Sequence, residues 1–154
     1  MSETPAPHPQ RIVVGVDGSP VSRAALRWAV DQARLTGATV DAVIAWQIPE
    51  SMSRQEWAPL LVDEPRLGVL AETELTEAIS EVAGQEPDVT INPVVVRGWP
   101  AEVLLTAAEG ADLLVVGSRG RGGFTSALLG SVSQNCVHHA TCPVLIIRTP
   151  KNHD

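Results

Sequence analysis

At 154 residues the chain has the length of one domain with a sizeable core, and a single domain is expected. Eleven Lys and Arg against 18 Asp and Glu give a formal charge of −7, which argues against the clustered basic surface that nucleic acid requires. No apolar run nears the ~20 residues of a membrane helix, and Met1 to Gln10 lacks the charged and apolar regions of a secretory signal, so a cytoplasmic protein with a disordered arm over 1–10 is expected.

Arg11-Ile-Val-Val-Gly-Val-Asp17 is β-branched and apolar with a turn signal behind it, as expected of a strand covered on both faces. Ser19 and Pro20 then read as the N-cap and first position of a helix. Its Leu26, Ala29, Val30 and Ala33 recur at helical spacing, and it stops near Gly37. Thr39 to Trp46 forms a second strand, and Gln47 to Glu64, with two prolines and no period, reads as a long lid or binding loop. From Pro65 to Gly84 the apolar residues Leu67, Leu70, Ala71, Leu75, Ala78, Ile79 and Val82 predict a second helix.

Val89 to Val96 is a third strand, placed at the sheet edge by Pro93, which cannot donate to a ladder. Pro100 opens a third helix carrying Val103, Leu104, Ala107 and Ala108 and ending at Gly110, and Ala111 to Val116 is a fourth strand. After a glycine-rich loop, Ser131-Val-Ser-Gln134 fits a capping box opening a fourth helix to about Ala140. Cys142-Pro143 ends it, Val144 to Arg148 is a fifth strand, and 149–154 is a polar tail. Cys136 and Cys142 match no zinc or redox spacing and read as reduced, partly buried thiols.

This alternation over 11–148 predicts an α/β fold: a doubly wound five-stranded parallel sheet sandwiched by four helices. Ligands of such sheets bind beyond the carboxyl ends of the strands, where the strand order reverses. If strands 1 and 4 meet there, Asp17 and the loop from Gly117 line one crevice. Glycine backbone lets successive N–H groups converge on an anion, and the helix start near Ser131 adds its own free N–H groups. A carboxylate suits ribose hydroxyls better than phosphate, which places Asp17 at the ribose and leaves the backbone near Trp46 to read adenine.

Other chemistries fail on the letters. The sole lysine, Lys151, lies in the tail, which excludes a Walker loop. The G-x-G-x-x-G fingerprint and the G-x-S-x-G elbow are missing, and adjacent His138 and His139 cannot share a metal as an i, i+4 pair could. The residues propose no catalytic group and no metal site.

The spacing Gly117-x-x-Gly120, nine residues, then Gly130-Ser131 resembles the ATP-binding motif of the universal stress protein family, and Val14 to Ser19 and Cys142 to Ile147 look like its first and last strands. The resemblance spans about Arg11 to Arg148 and implies an adenine nucleotide alpha hydrolase-like fold. It also implies a site built from Asp17, Trp46, Gly117, Gly120, Gly130 and Ser131. Gly15, Ser118, Arg119, Arg121, Gly122, Gly123, Val132 and Ser133 are the neighbours of that set. Trp46 departs from the small aliphatic residue often found after the second strand.

The implied function is an ATP-binding regulator of stress response, with Mg²⁺ accompanying the nucleotide. It would act through conformation, partner binding, or homodimerisation by the strand Val144 to Arg148. A slow Mg²⁺-dependent ATPase, a cyclic AMP-binding protein and a ligand-free dimerisation module are the alternatives.

Overall fold

Short β-branched runs separated by amphipathic segments cannot bury both strand faces by themselves, and the chain resolves this by layering helices on each side of one sheet. A computed structural model describes residues 10–48, 55, 64–85, 87–119 and 129–148. Its elements are β1 (Arg11–Gly15), α1 (Pro20–Thr36), β2 (Thr39–Trp46), α2 (Glu64–Ala83), β3 (Ile91–Arg97), α3 (Pro100–Ala107), β4 (Leu113–Gly117), α4 (Ser131–His139) and β5 (Val144–Ile147). All strand pairs are parallel, in the order β3-β2-β1-β4-β5.

The strand pleat sorts the core into two layers. Ile12, Val14, Val40, Ala42, Ile44 and Val115 face α1 and α2, where Leu26, Val30 and Leu75 bury completely or nearly so. Val13, Val43, Leu114 and Val116 face the opposite layer, closed by Val103 and Leu104 of α3 and Cys136 of α4. Half-buried Trp28 packs against the first layer, and β3 with its Pro93 lies at the sheet edge.

Helix α1 begins as its sequence dictates: the Ser19 hydroxyl accepts from the Ser22 N–H at 3.2 Å, and Pro20 follows. It ends on Gly37, left-handed at φ 77°, whose N–H returns to the Ala33 carbonyl.

Helix α4 departs from expectation. Gly130, extended at φ −74° and ψ 170°, is the N-cap, and Ser131 is already helical, so no S-x-x-Q capping box forms. The helix closes at His139. The other boundaries move by two or three residues at most: α3 ends at Ala107 instead of Gly110, and β1 ends at Gly15 instead of Asp17. Asp17 is drawn into a turn, although the Val16 N–H still reaches the Val43 carbonyl at 2.8 Å.

At the amino ends of the strands, Arg11 ties β1 to β2, α3 and the connection between α3 and β4. Its N–H meets the Asp112 carboxylate at 2.8 Å and its guanidinium meets Asp41 at 3.1 Å. The same guanidinium reaches the carbonyls of Ala107 at 2.9 Å and Glu109 at 2.6 Å, where α3 runs out of internal donors. Asn92 of β3 reaches the other Asp41 oxygen at 2.9 Å.

Candidate functional site

β1 lies between β2 and β4, so the strand order reverses there and the switch point falls between the carboxyl ends of β1 and β4. From β1 the chain enters a short turn in which Asp17 Oδ1 accepts from both the N–H (2.9 Å) and the hydroxyl of Ser19. The Asp17 N–H meets the Ser22 hydroxyl at 3.2 Å, and that hydroxyl donates to the Ser19 carbonyl at 3.0 Å. Gly18 completes the turn at φ 82°. Asp17 is thus held at the strand end by its own helix cap.

Glycines at the two strand ends have packing reasons that the sequence did not expose. A Cβ on Gly117 would stand 2.9 Å from Val21 Cγ1 and 3.4 Å from the Val21 backbone. Only glycine lets the end of β4 approach the first turn of α1 this closely. A Cβ on Gly15 would meet the Leu104 side chain at 2.8 Å. Val21 and Ser22, absent from the expected site, therefore link its two halves. The Ser19-Pro-Val-Ser22 cap was their one visible signal.

Beyond Gly117 the backbone of Ser118 is held on both sides. Its N–H donates to the Ile147 carbonyl of β5 at 2.8 Å, while its carbonyl accepts from the Gly130 N–H at 2.7 Å and the Ser133 hydroxyl at 3.1 Å. The start of α4 is thereby fixed to the end of β4. Residues Ser131, Val132 and Ser133 occupy the first turn, whose N–H groups have no partner inside the helix and carry the positive end of its dipole. Half-buried Arg119 makes no ion pair with a described residue. Gly120, Arg121, Gly122 and Gly123 lie outside the described residues.

At the end of β2 the Trp46 carbonyl already accepts from the Gly98 N–H at 2.9 Å. The indole packs toward Gly68 of α2, and the Arg97 guanidinium stands 5.8 Å from the ring centroid. Trp46 is a wall of the first core layer. On the opposite layer, burial first and the neighbouring Cys142 second push the Cys136 thiol up to about 11.

These features define a doubly wound α/β domain with the start of α4 fixed at its switch point. The chain matches the model of the universal stress protein family over residues 9–148 and belongs to that family. It is 40% identical over 147 residues to universal stress protein Rv1996 of Mycobacterium tuberculosis, a match covering 92% of this chain and 44% of that relative. It thus spans about half the length of the curated relatives it matches. The fold resembles that of universal stress protein UspA from Lactobacillus plantarum, with a TM-score of 0.77 at 23% identity, covering 93% of this chain and all of that one. A universal stress protein solved in complex with cAMP matches with a TM-score of 0.59 at 29% identity, covering 92% of this chain and 98% of its own. Among the described residues no helix is long and apolar enough to cross a membrane.

Proposed function

We propose that this chain binds an adenine nucleotide, ATP in the first place, at the β1/β4 switch point, and that occupancy regulates its association as part of a stress response in the cytoplasm. The observation that carries the reading is the double attachment of the α4 start to the Ser118 carbonyl, through the Gly130 N–H and the Ser133 hydroxyl. It holds N–H groups that have no partner inside the helix at the end of β4, beside the strand that leads into Asp17. Phosphates would meet the amides of Ser131, Val132 and Ser133 together with the loop from Ser118 and Arg119 through Gly120 to Gly123. Asp17 would face the ribose, and the chain leaving Trp46 would border adenine. Mg²⁺ would accompany the phosphates as counter-ion.

Binding without rapid turnover is the expected behaviour. The chain has no lysine outside its tail, and its histidines are confined to the termini and the last turn of α4. The Ser118 N–H bond to Ile147 connects the phosphate end of the site to β5, the strand through which two copies would pair. Cyclic AMP is the second reading, supported by the relative solved with that ligand.

Native mass spectrometry of freshly purified protein, followed by calorimetric titration with ATP and with cyclic AMP, tests the proposal. Copurifying adenine nucleotide or millimolar-or-better ATP binding supports it. Tighter cyclic AMP binding selects the second reading, and the lack of any adenine nucleotide binding overturns both.

A further inference from the structure

Ser133, in the first turn of α4, is buried at 2% exposure, and its hydroxyl faces the backbone. The single hydroxyl proton lies between two carbonyls, Ser118 at 3.1 Å and Gly130 at 3.0 Å, one at the end of β4 and the other at the N-cap of α4. The Gly130 N–H adds a 2.7 Å bond to the same Ser118 carbonyl. One residue in the first turn of α4 therefore joins the end of β4 to the N-cap of α4.

From this geometry, and resting on the nucleotide reading above, we infer that Ser133 is a positioning residue that sets how strongly the site counts phosphates. Its hydroxyl is spent on the Ser118 and Gly130 carbonyls, and its backbone amide, third in the helix, stays in the donor set. A hydroxyl bonded to both the Ser118 and Gly130 carbonyls holds the first-turn amides at one distance from the end of β4, so those amides meet a phosphate without first having to be ordered. The nucleoside end is held elsewhere, by the Asp17 turn, whose bonds run to Ser19 and Ser22 with no contribution from Ser133. Loss of the hydroxyl should thus weaken binding in proportion to phosphate number and spare the nucleoside. A general loss of structure would weaken all ligands together.

The test is calorimetric titration of adenosine, AMP, ADP and ATP into the full chain, as wild type and as Ser133→Ala, with hydrogen exchange at the Gly130 amide in the ligand-free proteins. Ser133→Cys, close in shape but a weak donor, is the second variant should alanine compromise folding. The expected result is adenosine affinity within about twofold of wild type and ATP weakened about tenfold, as for the loss of roughly one hydrogen bond. Faster exchange at Gly130 should accompany it. Equal losses for adenosine and ATP, unchanged ATP affinity, or unchanged Gly130 exchange would overturn the inference while leaving the nucleotide reading intact. Failure of the wild type to bind any of the four ligands would overturn the nucleotide reading and this inference with it, even if Gly130 exchange showed the clamp itself to be present.

Discussion

At the scale of single residues, Gly117 has a packing duty that substitution can measure apart from any role in binding. Gly117→Ala places a methyl 2.9 Å from Val21 Cγ1 and 3.4 Å from the Val21 backbone, so α1 or β4 must shift. The expected cost is about 1–3 kcal/mol, the range for overpacking a filled site. Urea denaturation measures it, and Val21→Ala in the same chain should recover part of the loss. Reduced nucleotide binding by Gly117→Ala alone would therefore be no evidence of a phosphate contact.

Cys136 supplies a pH dependence. Its thiol ionises near 8.5 when unfolded and is pushed up to about 11 when folded, first by burial. Between those values the unfolded chain has lost the proton that the folded chain keeps, so stability falls as pH rises through this window. The urea midpoint should drop across that range, and Cys136→Ala should reduce the slope. At neutral pH the thiol keeps its proton in both states and contributes no pH dependence.

At the scale of elements, Arg11 decides how firmly β1 is anchored to its neighbours. Its guanidinium, about one-third exposed, serves the Asp41 carboxylate and two carbonyls at the end of α3. Arg11→Ala strands those acceptors and should cost about 2–3 kcal/mol, as for hydrogen bonds that involve a charge. Chemical denaturation reads this directly. Arg11→Lys, a point charge in place of a planar fork, should recover only part of it.

Local chemistry made much of this architecture legible. The Ser19-Pro20 cap, the Gly37 stop and the edge position of Pro93 each depend on one or two residues, and each lies where the pattern put it. Features set by residues far apart in the chain were not legible. Arg11 meets Asp112 across 101 positions, and Gly117 is required by Val21 on another element. The capping box failed because Gly130 adopts the extended conformation of an N-cap, which moves Ser131 into the helix. The candidate site's place at the switch point between β1 and β4 was readable from strand alternation. Its internal clamp was not, since a buried serine on a short helix looks the same in sequence as an exposed one.

At the scale of the whole molecule, the sheet has two edges of different character. Residues Ile91–Arg97 form one, interrupted by Pro93 and ending in a charged side chain. The other is Val144–Ile147, four apolar residues that pair with β4 on one side and stay only half-buried, with no strand beyond them among the described residues. An uninterrupted apolar edge is the natural place for a second copy to add its own β5. Two copies each carrying a formal charge of −7 repel, so association should be weak at low ionic strength and strengthen as salt rises from about 0.05 to about 0.5 M. Sedimentation across protein concentration should give a dimer for wild type. Because Ile147 accepts from the Ser118 N–H, ATP should shift the wild-type dimer constant. A wild-type chain monomeric at every salt and ATP concentration would remove β5 as the interface.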